Sequence, residues 1–315
     1  HRDLHSFPTR RSSDLYVMVA NYLPHTLVLL DAQKLDLMKI IPVAQQKTGK
    51  TSRVSAVYDA APRMSFVAAL KDIPEVWEIS YDPDAQPITE GLVHDFQYKE
   101  GDFIPGQFNP RRTKLKDFLD DFFFTQSYDE IIGASRDATK GQVINLDARK
   151  RIADLDLPGM PHLGSGISFT HQGRRVLATP NLREGLVTFI DMETWKNIKS
   201  LKTPGPGFFM RSHENSRYLW VDSMMSPTAK NTLTVIDKET LEIVASPSTD
   251  PGKTLAHIEF DREGKHALAS LWEQDGALVV FDAKTLKEVK RIPMKKPVGK
   301  YNIWNKITRS EGTSH

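Results

Sequence analysis

Cysteine is absent from all 315 residues, so this chain holds no disulfide framework, no Cys-based zinc site and no C-x-x-C-H attachment for a c-type haem. Charge of one sign is also lacking. Basic side chains number 42 and acidic ones 40, a net of +2 with no Lys/Arg run, which argues against a dedicated nucleic-acid binder with its concentrated basic face. No stretch approaches the roughly 20 apolar residues of a membrane-spanning helix. What remains, 39% apolar and 9% aromatic residues, is the composition of a folded chain, neither disordered nor fibrous. The length allows two domains, but one repetitive all-β domain can absorb it.

The first fifteen residues, HRDLHSFPTRRSSDL, share no pattern with the rest of the chain and resemble one translated reading frame of a sequencing-library adapter. Residues 1–15 are therefore expected to be non-native, with native sequence from Tyr16 in the middle of an apolar strand. Without their three arginines and two aspartates the charge is +1 over 300 residues. On this expectation upstream blades are missing from residues 16–315, and the lack of a leader or of cysteine says nothing about the natural protein.

One unit recurs from there on: a strand, a turn, a second strand ending in aspartate, an Asp-x-x-Thr-Leu-like turn, and a strand running to proline. It reads LVLLDAQKLDLMKIIP, QVINLDARKRIADLDLP, LVTFIDMETWKNIKSLKTP, LTVIDKETLEIVASP and LVVFDAKTLKEVKRIP. The aspartates are Asp31, Asp147, Asp191, Asp237 and Asp282, the last three intervals being 44, 46 and 45 residues, the period of a four-stranded propeller blade. The gap before Asp147 takes one degenerate copy around Tyr81 and an insertion of about 25 residues near His94–Lys116. Six blade-like units result, and β-branched and aromatic alternation favours strands throughout. The repeated aspartates read as turn acceptors, not catalysts.

Chemistry is sought where the blade pattern breaks next to Gly or Pro. His162 lies in GMPHLGSGISF, where Pro161 fixes the chain and two glycines allow a ligand close to the backbone. His257, in KTLAHIEF, occupies the corresponding place two blades on, and a histidine pair projecting toward one axis suits acid/base or ligand roles. His171, His213 and His266 fall in polar turns and are expected at the surface. Phe208, Phe209 and Met210 come after a Gly-Pro-Gly turn and read either as core or as a surface for a flat ring with acidic arms. Arg53, Arg183 and Arg211 could pair with carboxylates. Asp120 and Asp121, in KDFLDDFFFTQ, stand on a loop face or a channel rim. No closely spaced zinc-type cluster is present, so no metal site is expected.

Together, PHLGSGISF, GFFMRSHENSRYLWVDSMMSP, LAHIEF and the closing KKPVGKYNIWNKITRSEGTSH resemble the eight-bladed haem d1-binding propellers: the cytochrome cd1 nitrite reductases, the NirF biosynthesis proteins and the dihydro-haem d1 dehydrogenases of the NirN type. The likeness covers essentially residues 16–315, and the C-terminal third is most similar to the dehydrogenases. It implies an all-β propeller of the cytochrome cd1 C-terminal type, with about six blades in this chain. It implies oxidation of the propionate side chain of dihydro-haem d1 to the acrylate of haem d1, in the periplasm. Catalytic residues would be His162 and His257; Arg53, Arg211, Tyr301 and Phe208 would bind the tetrapyrrole. Haem c would sit in an N-terminal domain outside this chain, and protein partners would be the nitrite reductase and other haem d1 assembly proteins. In the reductases two distal histidines protonate nitrite; here Asp120 falls at the first position and His162 at the second, which speaks against nitrite reduction. The alternatives are a NirF-like biosynthesis or carrier protein, a nitrite reductase, and a non-catalytic scaffold propeller.

Overall fold

The computed structural model describes residues 15–95, 100–134 and 140–300. The recurring turn sets the architecture. In four copies the Asp carboxylate accepts two backbone N–H groups: Asp31 from Gln33 and Lys34, Asp191 from Glu193 and Thr194, Asp237 from Glu239 and Thr240, Asp282 from Lys284 and Thr285. The Asp carbonyl then accepts the N–H four residues on, and that fourth residue is left-handed: Leu35, Trp195, Leu241 and Leu286, at φ 54–62°. The chain reverses and the next strand pairs back.

Among the described residues, 23 of the 25 strands form six sheets of blade type, hydrogen-bonded mostly in chain order, and the other two form a separate hairpin. Contact density divides the chain into two compact units. In the first, β1 (Tyr16–Ala20), β2 (Thr26–Asp31) and β3 (Leu37–Pro42) make a three-stranded sheet, and β4 (Val54–Ala60), β5 (Ser65–Leu70) and β6 (Glu75–Ser80) begin the next. A hairpin of β7 (Ile88–Asp95) and β8 (Glu100–Ile104) interrupts it before β9 (Pro110–Lys114) pairs with β6 and completes it. The expected insertion at His94–Lys116 is corrected here: it ends earlier, and its last residues are the fourth strand. PRRTK reads as a charged loop, yet its backbone fills the β6 edge while Arg112 lies 4.8 Å over the Trp77 ring. Leu27, Ile41 and Val43 pack against Val54, Leu70, Trp77 and Ile79, joining the two sheets in one core.

The second unit holds most of the sheet of β10 (Asp121–Phe124), β11 (Glu130–Ala134), β12 (Lys140–Asn145) and β13 (Lys150–Asp156). Three more sheets complete it: β14 (Ile167–His171), β15 (Arg174–Pro180), β16 (Leu186–Asp191) and β17 (Asn197–Lys202); β18 (Met210–Arg211), β19 (Tyr218–Asp222), β20 (Leu233–Asp237) and β21 (Ile243–Ala245); β22 (Leu255–Phe260), β23 (His266–Leu271), β24 (Ala277–Asp282) and β25 (Glu288–Pro293). Neighbouring sheets share clusters: Ile132 and Val143 with Leu177 and Ile190, Phe169 and Phe189 with Met210 and Val221, Trp220 and Val235 with Phe260 and Phe281. Strands such as β20 and β22 are therefore buried along their whole length, polar residues included, whereas β17 alternates and β25 lies in water. Each fully buried Phe or Leu contributes roughly 1.5–3 kcal/mol.

Two further expectations are corrected. Asp147 is not the turn residue of its copy. Asn145 takes that role, accepting the Ala148 N–H, with Arg149 left-handed four residues on, while Asp147 pairs with Arg63 at 2.8 Å. His213 is not a surface residue: it is 1% exposed, its Nδ1 accepting the Asn215 N–H and its ring 6.1 Å from Phe260.

Candidate functional site

In the second unit the loop Pro158–Gly166 carries His162 from β13 to β14. Gly159 is left-handed at φ 59°, and a Cβ there would meet the Asn181 side chain at 2.8 Å. Asn181, just past β15, donates to the Pro158 carbonyl and accepts from the Arg183 and Glu184 N–H groups. The His162 N–H donates to the Pro180 carbonyl, so the end of β15 holds the loop both ahead of the histidine and at it.

The Gly-Pro-Gly turn brings a second segment in. A Cβ on Gly207 would lie 2.6 Å from the Asp222 carbonyl, so only glycine lets Phe208 and Phe209 run this close along the end of β19. Their backbone N–H groups point at the Asp222 carboxylate, at 2.8 Å and 3.3 Å. His162 Nδ1 donates to the Phe208 carbonyl at 2.7 Å. Because a carbonyl only accepts, the neutral imidazole is the Nδ1–H tautomer and Nε2 carries the lone pair.

Four rings then form a ladder: His162 to Phe208 4.2 Å, Phe208 to Phe209 4.7 Å, Phe209 to His257 4.4 Å between centroids, each pair tilted. His162, Phe208 and Phe209 are half-buried, while His257 is buried within β22. The two histidines are thus brought together, but not at equivalent places: His162 precedes its inner strand and His257 lies inside one.

Asp222 is completely buried and also accepts the His257 N–H at 3.2 Å. Burial pushes its carboxyl up to about 6, against the pull of the four N–H groups of Phe208, His257, Phe209 and Met224. Lys300 donates to the His257 carbonyl and to Ser270 Oγ. Burial brings its ammonium down to about 7, with Glu259 and Asp222 opposing and Arg211 assisting.

Of the other sequence candidates, Phe208 is in the ladder. Arg211 is buried, donating to the Met210 carbonyl with its Nε 3.6 Å from Glu259. Arg53, in the first unit, grips Asp72 bidentately at 2.8 and 2.5 Å and holds that carboxyl well below the usual range. Asp120, also in that unit, pairs with Lys71 at 2.7 Å, and Asp121 accepts from the Tyr58 hydroxyl. Tyr301 lies outside the described residues. Asp222 and Lys300 were not foreseen. The fold shows the pattern that Asp222 follows: an acceptor at or just past a blade's second strand takes an N–H near the start of the first, as Asp72 does for Arg53 and Glu273 for Thr254.

Four-stranded meanders sharing cores with their neighbours, and a site built where one sheet's loops meet the next, define a β-propeller domain. Residues 5–306 match the family model described as the cytochrome D1 heme domain, and the chain belongs to that family. It is 49% identical over 300 residues to a dihydro-heme d1 dehydrogenase of Pseudomonas aeruginosa, covering 95% of this chain and 56% of that protein. It is 27% identical to the protein NirF of Stutzerimonas stutzeri, over 90% of this chain and 68% of that one. The solved structure of the dihydro-heme d1 dehydrogenase NirN in complex with DHE matches with a TM-score of 0.82 at 48% identity, over 93% of this chain and 58% of that one. The chain thus spans little more than half the length of the dehydrogenases it matches.

Proposed function

We propose that this chain is the tetrapyrrole-binding propeller of a dihydro-haem d1 dehydrogenase acting in haem d1 biosynthesis. The observation that carries the reading is the ring ladder, which sets His162 and His257 on either side of the half-buried Phe208–Phe209 pair. In the reaction two C–H bonds of the propionate break, a C=C bond forms, and two protons and two electrons leave. The substrate's macrocycle and iron supply the electron sink, and a one-electron carrier must drain it. No cysteine here can attach haem c, so the carrier belongs to another part of the protein or to a partner.

His162 is the general base. It is half-exposed, and its tautomer puts the lone pair on Nε2. His257, buried behind Phe209, orients the side chain and stabilises the charge that develops. Phe208 offers an apolar face to the macrocycle; Tyr301 is a further donor to the substrate. Arg53 and Arg211 are weaker candidates for its carboxylates, since each is already engaged by an acidic side chain. The higher identity to the dehydrogenase than to NirF supports the dehydrogenase over the carrier reading. No described helix is long and apolar enough to cross a membrane. A periplasmic place, delivery of product to cytochrome cd1 nitrite reductase and a non-native origin for residues 1–15 belong to the same proposal.

The test is anaerobic titration of the full-length protein carrying this chain with dihydro-haem d1, followed by absorption. His162→Ala is expected to bind and to slow conversion about 10²–10⁴-fold. Failure of the unaltered protein to bind would overturn the whole reading. Wild-type rates in both His162→Ala and His257→Ala would overturn the catalytic assignment alone.

A further inference from the structure

β22 is irregular at His257. Ala256 pairs with Ser270 and Glu259 with Leu268, so His257 and Ile258 together face the single residue Ala269. At this bulge His257 has φ 53°, and it is the one described non-glycine residue of positive φ inside a strand, all others lying in turns, loops or strand connections. Such a position is glycine's by default, because a Cβ there crowds the backbone carbonyl. A strained residue persists where its surroundings hold it.

Two opposite charges hold this one. The Asp222 carboxylate takes its N–H, and the Lys300 ammonium gives to its carbonyl. They come from distant chain segments, 35 and 43 residues away. Lys300 is tied in addition to Ser270, the partner of the residue before the bulge. Asp222 also fixes the Phe208 amide, and the Phe208 carbonyl fixes His162.

We propose that Asp222 and Lys300 are positioning residues for the dehydrogenation, an ionic clamp on the His257 peptide that sets where the imidazole stands. The proposal rests on the functional reading above. A carboxylate needed only to satisfy nearby amides would work equally well without a cation on the far side of the peptide. The pairing of the two charges across one strained residue is what a positioning device requires.

The experiment uses the full-length protein and two readouts. Asp222→Asn keeps an acceptor for the Phe208 and Phe209 amides but turns an –NH₂ donor toward the His257 N–H; Lys300→Met removes the cation and Lys300→Arg retains one. Hydrogen exchange followed by mass spectrometry should show the β22 peptide exchanging at least about tenfold faster in Asp222→Asn and Lys300→Met, with β14 unchanged and Lys300→Arg near wild type. With dihydro-haem d1, kcat should fall at least about tenfold in the first two while KM stays within about threefold. Added to His257→Ala, neither substitution should lower kcat further. Unchanged β22 protection in both variants overturns the clamp, whatever the activity does. Lost protection with unchanged kcat overturns the positioning role, and a further fall in the His257→Ala background assigns the residues to some other structural task. Wild-type turnover by His257→Ala alone would instead sink the catalytic role of His257, the clamp then being judged on exchange.

Discussion

Burial pushes the Asp222 carboxyl up to about 6 although four backbone N–H groups point at it, so at neutral pH the folded chain holds an ionised acid that water would solvate better. Its folded pKa lies above the unfolded value of about 3.9, so its stabilising contribution is complete below about pH 4 and is lost as pH rises through 6. The difference in urea stability between the wild type and Asp222→Asn should therefore shift by about 2 kcal/mol toward the variant between pH 4 and pH 7. A pH-independent difference would show that the carboxylate is not destabilised by burial. Lys300 runs the other way: its folded pKa is lowered to about 7, so the unfolded chain binds more protons between 7 and about 10.4 and stability rises with pH across that window. Wild type should gain on Lys300→Met in urea titrations from pH 7 to 10. At this scale His162 and Phe208 stood out in the sequence beside Gly or Pro, and His257 by its place two blades beyond His162; the ring ladder joins the three. Asp222 did not stand out. In YLWVDSMM it looks like any aspartate closing a strand, and only the fold shows which amides it receives.

Each blade depends on one turn, and the turn makes its own tests. Asp237 accepts from the Glu239 and Thr240 N–H groups and from Arg217 Nε at 2.6 Å. Asp237→Ala should cost about 1–2 kcal/mol in urea unfolding, the scale of a lost cap. Leu35 is left-handed and 61% exposed, so Leu35→Gly relieves strain while losing little packing. It should be neutral or stabilise by up to about 1 kcal/mol; a clear loss would mean that the Leu35 side chain supports the turn. The aspartate turns were readable because an acceptor two or three residues ahead of the amides it serves is a local pattern. The miss at Asp147 has the same origin. Asn145 is an equally good acceptor, and the 46-residue spacing from Asn145 to Asp191 matches that from Asp191 to Asp237. Strand β9 was misread because PRRTK is polar and charged, although Pro110 and Thr113 are buried and Arg112 lies on the Trp77 ring. Its identity lies in backbone pairing with β6, which polar side chains neither reveal nor prevent.

For the molecule as a whole, carboxylates held below their usual range outnumber Asp222. Arg53 does this for Asp72, the Thr194 and Thr285 amides for Asp191 and Asp282, Lys253 for Asp275 and Arg291 for Glu288. Their contributions are present above the unfolded pKa of about 4 and vanish as pH falls through the lower folded values. Stability should accordingly rise slightly as pH falls from 7 to 5, where Asp222 takes up its proton, and then fall steeply below pH 4. Urea midpoints taken from pH 3 to pH 7 would check this, and a steady decline starting at pH 7 would contradict it. The fold class was within reach of the sequence, because strand periodicity, turn acceptors and a spacing near 45 residues are set by neighbours along the chain. Family-specific loops pointed to the haem d1 propeller family for the same reason. Tertiary structure alone decided which groups share a site: that a carboxylate at the end of β19 meets an amide 35 residues later, and that a lysine 43 residues beyond His257 closes on the other side of the same peptide. Neither contact leaves a local trace. Each exists because a bulge turns one peptide out of its ladder and burial makes the charges that reach it count.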